Sequence, residues 1–94
     1  MKITNKHLFK FMEIIGIIGI DTELEGEDEK EFGIRIIQTI IKNANKAQDE
    51  IEFLLKDITG EDTSTPTGLI KAVSKIKKDK EVLNFFTQVL DSLK

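Results

Sequence analysis

Few residues in this chain are of the type that does chemistry. His7 is the only histidine, and cysteine, tyrosine and tryptophan are absent. A metal site or a catalytic triad needs partner side chains of the right type close in space. His7 stands beside Lys6 near the chain start and is read as a surface residue. Glu50 and Glu52, two apart on a helix, project to different faces and make a poor acid/base pair. Asp21, Glu23, Glu25, Gly26 and Glu27 fall where a calcium loop would place its first ligands and its turn glycine. The match then fails, because Phe32 stands where the bidentate glutamate belongs and Asp28 where an apolar residue belongs. The run reads as a solvated acidic connector. No catalytic residue, metal or cofactor is assigned, and the chain is not expected to be an enzyme.

Charge points the same way. Lys71, Lys75, Lys77, Lys78 and Lys80 form a basic patch, with Lys71, Lys75 and Lys78 on one helix face. That patch reads as a solubilising face that also complements a helix C-terminal dipole. The net charge is −3 and Arg35 is the only arginine, so phosphate neutralisation has little material and no nucleic-acid partner is expected. The uncharged core of the most apolar stretch, Ile14 to Ile20, is far shorter than the ~20 residues of a membrane span. A small-residue cleavage pattern is also missing. The expectation is an unprocessed soluble protein of the cytoplasm, which the lack of cysteine fits.

These residues must be positioned by helices. Ninety-four residues make one domain, 1–94. A first helix starts near Thr4 or Asn5 and presents Leu8, Phe11, Met12 and Ile15 at i, i+3, i+4, i+7. Gly16 and Gly19 weaken it, and Ile17 to Ile20 either continue the helix or run extended. A second helix starts near Asp28, with Asp28 and Glu31 as a capping box. Its inner face is Phe32 or Gly33, Ile36, Ile37, Ile40, Ile41 and Ala44, widened by Ile34. The apolar phase continues through Ile51, Leu54, Leu55 and Ile58, with a break expected at Asn43-Ala44-Asn45. Gly60 ends that helix. Thr65-Pro66 reads as an N-cap followed by proline at the first helical position. The helix it opens carries Leu69, Ile70, Val73 and Ile76. Asp79 caps the last helix, whose face is Val82, Phe86, Val89 and Leu93, widened by Leu83, Phe85 and Leu90. The fold class is therefore all-α, a small bundle of four to five helices.

The apolar supply exceeds one narrow stripe per helix. Ile34, Ile36, Ile37, Ile40 and Ile41 cover a broad face, and adjacent Phe85 and Phe86 lie about 100° apart on a helix. Exposed apolar patches mark partner-binding sites. Ile34, Ile37, Ile41, Phe85 and Phe86 are the candidate contacts, one phenylalanine anchoring the core and the other reaching a partner. The competing reading is that the first helix covers them all.

From Gly33 to the C-terminus the chain resembles the tail assembly chaperones of long-tailed phages and prophages of Gram-positive bacteria. The resemblance rests on IRIIQTIIKN, NKAQDEIEFLLKDITG, LIKAVSKI and DKEVLNFFTQVL, in particular Phe53 to Gly60 and Asn84-Phe85-Phe86. Asn45 stands where family members often have proline before Lys-Ala, which places a helix start near Asn45. The loop from Glu61 to Thr67 is shorter and richer in threonine than the family pattern. The resemblance implies a non-catalytic role in the bacterial host cytoplasm. Such a protein coats the helical tape-measure protein, helps recruit tail-tube subunits and departs before the tail is complete. It also implies, for many relatives, a longer product made by ribosomal frameshifting. A monomer or loose homo-oligomer fits this role. The alternatives are a phage head–tail connector, which would form a ring of defined size, and a small DNA-binding regulator, for which no helix-turn-helix spacing is visible.

Overall fold

The computed structural model describes residues 1–20 and 28–93. Most of the acidic connector, including the first calcium-loop positions at 21–27, lies outside the described residues. Five α-helices follow in order: α1 Asn5–Ile18, α2 Glu29–Lys42, α3 Gln48–Thr59, α4 Pro66–Lys77 and α5 Lys80–Ser92. A single 3₁₀ turn, Ala44–Lys46, joins α2 to α3. No strand occurs among the described residues, and the bundle measures 33 × 25 × 24 Å.

Local chemistry sets the helix ends. The Asp28 carboxylate accepts the Glu31 N–H at 2.7 Å, the Thr65 hydroxyl accepts the Gly68 N–H at 3.0 Å, and Asp79 accepts the Val82 N–H at 3.1 Å. Each contact satisfies one of the donors a helix N-terminus leaves free. At the end of α3, Gly60 adopts φ 78°, a left-handed conformation that a Cβ would strain. Gly19 does the same at φ 73° and settles the ambiguous stretch after Ile15. The helix runs through Ile18, and Ile20 folds back into the core beyond it.

One predicted start moves. The break between α2 and α3 falls where expected, but Asn45 does not open α3. Residues 44–46 wind into the 3₁₀ turn, with the Ala47 N–H bonded to the Ala44 carbonyl at 3.2 Å. Ala47 is buried, and α3 begins only at Gln48.

Helix α2 packs chiefly on α5, α1 on α3, and α3 on α4. A Cβ on Gly33 would come within 2.8 Å of the Leu83 Cβ and 3.1 Å of the Leu83 carbonyl oxygen, so glycine is what lets α2 and α5 approach this closely. The buried faces of α1 and α4 are rotated from the predicted ones. In α1 the inner residues are His7, Phe11, Ile14, Ile15 and Ile18, Leu8 is half-buried and Met12 faces outward. In α4 they are Gly68, Ala72 and Ile76, while Leu69 and Val73 are half-buried and Ile70 is exposed. Leu93, expected on the inner face of α5, is also exposed.

Candidate partner-binding surface

The five candidate contacts separate once the bundle closes. Ile37 and Phe86 are 0% exposed and belong to the core, so neither is available to a partner in this conformation. The reason is that α2 and α5 spend their broad apolar faces largely on each other. Ile34, Ile41 and Phe85 remain half-buried and pack against the core from its rim.

The phenylalanine pair divides as its 100° separation requires. Phe86 stacks on Phe11 with ring centroids 4.7 Å apart, and Phe85 lies 5.8 Å from Phe11 and 5.5 Å from Phe86. Tilted rings at these separations contribute beyond their buried area. The exposed side of Phe85 borders two shallow grooves. One is lined by Ile3, Leu8 and Val89, with Thr4 and Ser92 beside them. The other is lined by Lys2, Ile3, Glu81 and Asn84. Ile34 lies elsewhere, in a polar depression formed with Asp28, Lys30, Glu31, Arg35 and Gln38.

The most exposed large apolar residue is Ile70 on α4, at 69%, but exposed apolar side chains gather on α1, a helix that the sequence reading did not single out. Phe9 is 65% exposed, Met12 and Ile17 are each 43% exposed, and all three sit on α1. Phe53 on α3 is 40% exposed, with the Lys6 and Lys10 ammonium groups 4.9 and 5.2 Å from its ring centre. Such placement over an aromatic face is attractive. The signal was present in α1, which is apolar around most of its circumference. A helix of that kind needs cover on more than one side.

His7 corrects its predicted place. It is 3% exposed, on the same face as Phe11, Ile14 and Ile18. The spacing i, i+4, i+7, i+11 is the signal that would have found it. Its Nδ1 accepts the backbone N–H of Thr4 at 3.0 Å, so Nε2 carries the proton and donates it to Asp57 at 2.5 Å. Both ring nitrogens are thus committed to holding the start of α1 against the end of α3. Lys6 reaches the same carboxylate at 3.8 Å.

The basic face of α4 is partly answered within the fold. The Lys75 ammonium lies 2.7 Å from Glu61, and this hydrogen bond holds the Glu61 carboxyl below its usual range. Asp62 is lowered as well, by the hydroxyl and then the backbone N–H of Ser64. The same loop is tied to α3 by Thr63, whose buried hydroxyl donates to the Glu52 carbonyl at 2.6 Å. Among the described residues no three metal-ligating side chains gather, and no helix is long and apolar enough to cross a membrane.

No protein-family model, curated protein or solved structure matches the chain.

Proposed function

We propose that this protein is a non-catalytic tail assembly chaperone of a long-tailed phage or prophage, acting in the bacterial host cytoplasm. It holds the helical tape-measure protein in solution and helps recruit tail-tube subunits. The sequence resemblance from Gly33 onward supports this reading. The structural observation that carries it is Phe85, half-buried between two open grooves and backed by the rings of Phe11 and Phe86. An amphipathic helix can lay an i, i+3, i+4, i+7 face along such a ridge. The grooves are small and rimmed by polar groups, which favours the reversible binding that a departing chaperone needs.

Co-expression with a tape-measure fragment tests the proposal. Phe85→Gln, checked for retained helicity by circular dichroism, is expected to leave the fragment insoluble. Ile34→Asp probes the α2 rim in the same way. Ile37→Asp is unsuitable, because it would place a charge in the core. Unchanged fragment solubility with both folded variants would sink the proposal.

A further inference from the structure

We infer that two copies of this chain associate through α1 in an antiparallel, two-fold symmetric dimer, an interaction distinct from the Phe85 grooves proposed above. Three observations converge on a second copy as the occupant.

The first is shape. Phe9 and Gly16 lie two turns apart on the exposed face, about 10 Å along the axis at roughly 1.5 Å per residue. Phe9 projects into solvent, and a Cβ at Gly16 would meet nothing within 4 Å. A glycine inside an exposed helix weakens that helix, and the monomer gives nothing in return. When an identical helix runs antiparallel about a centre between Met12 and Glu13, Phe9 of each copy falls opposite Gly16 of the other. The knob then has a matching hollow, and both come from the same short helix. Met12 stands beside the symmetry axis.

The second is charge. Lys6, Lys10, Glu13 and Ile17, spaced i, i+4, i+7, i+11, form one edge of this face. A two-fold axis perpendicular to the paired helices brings the same edge of both copies to one side. The two Glu13 carboxylates then lie next to each other near the axis, and Lys10 of each copy flanks the Glu13 of the other. The Lys10–Glu13 pair within the chain, 3.0 Å apart, becomes part of a four-charge rim.

The third is the remaining apolar surface. Phe53 lies at the Lys6–Lys10 end of that edge. The antiparallel arrangement sets it beside Ile17 of the second copy. Phe9, Met12, Ile17 and Phe53 are all covered by one operation, as an isologous interface requires. The patch is small and its rim is charged, so the association is reversible, with a Kd of roughly micromolar or weaker.

Sedimentation equilibrium of the full chain across a concentration range tests this. The wild type is expected to form a dimer. Phe9→Asp and Gly16→Leu, both at exposed positions, are each expected to raise the dimer dissociation constant by roughly tenfold or more, with the helical signal and Tm retained. Charge variants separate contacts between copies from those within one. Lys10→Glu and Glu13→Lys each weaken self-association, whereas an equimolar mixture of the two reassociates, because each chain supplies the charge the other lacks. A wild type that stays monomeric overturns the inference and assigns the face to a different partner. Dimers that persist in both Phe9→Asp and Gly16→Leu overturn it too, as does a charge-variant mixture that fails to reassociate.

Discussion

Nε2 of His7 lies 2.5 Å from the Asp57 carboxylate, fifty residues later in the chain, while Nδ1 of the same ring takes the Thr4 N–H at 3.0 Å. One buried imidazole thus closes the start of α1 and fastens it to the last turns of α3. Asp57→Ala leaves the buried His7 N–H without its partner, at a cost of about 1–3 kcal/mol, whereas the exposed Asp57 carboxylate left by His7→Ala is met by water. His7→Ala instead opens a space beside the core, and for that reason is expected to destabilise more than Asp57→Ala. Urea denaturation of both variants and of the double mutant measures the coupling, expected at about 0.5–3 kcal/mol.

The two adjacent phenylalanines differ in energetic weight. Phe86→Ala removes a fully buried ring in contact with Phe11 and is expected to cost about 3–5 kcal/mol. Phe85→Ala removes a half-buried ring and is expected to cost less than half as much. Equal losses in denaturant midpoint would refute this assignment of core and rim.

Two helix glycines are expected to respond to alanine with opposite signs. Gly33→Ala drives a Cβ against Leu83 at the α2–α5 contact and is expected to destabilise by about 1–3 kcal/mol. Gly16→Ala meets only open space and is expected to stabilise the monomer by up to about 1 kcal/mol through helix propensity. Chemical denaturation at concentrations that keep the chain monomeric reads both.

The loop between α3 and α4 carries an acid-sensitive contribution. Glu61 and Asp62 sit below their ordinary values of 4.5 and 3.8 in the folded state. The unfolded chain therefore binds more protons at low pH, and this part of the stability rises with pH. It is fully present above the ordinary values and is lost as pH falls through the lowered folded ones. Glu61→Gln and Asp62→Asn are expected to flatten the acid limb of a Tm-against-pH curve in that window. They should narrow the difference from wild type at lower pH.

Much of the fold was legible locally. Asp28, Thr65-Pro66 and Asp79 start helices because a side-chain oxygen reaches a backbone N–H three residues on, an interaction that needs no distant partner. Gly60 ends a helix for an equally local reason. The candidate surface was less legible. Ile37 and Phe86 look the same in sequence as Ile34 and Phe85, and burial alone separates them. The apolar character of α1 was visible, but periodicity named Leu8 and Met12 as inner residues when the bundle turns Met12 outward.

The sequence by itself determined an all-α chain of four to five helices, most of their ends and their apolar content, because helix boundaries depend largely on contacts within a few residues. Only the tertiary structure decided which side of α1 and α4 turns inward, which phenylalanine reaches the surface, and which distant group the single histidine bonds to. Those outcomes depend on partners far along the chain: Asp57 for His7, Phe11 for Phe86, Leu83 for Gly33. A helix apolar on several faces has no preferred rotation of its own, so its neighbours choose it.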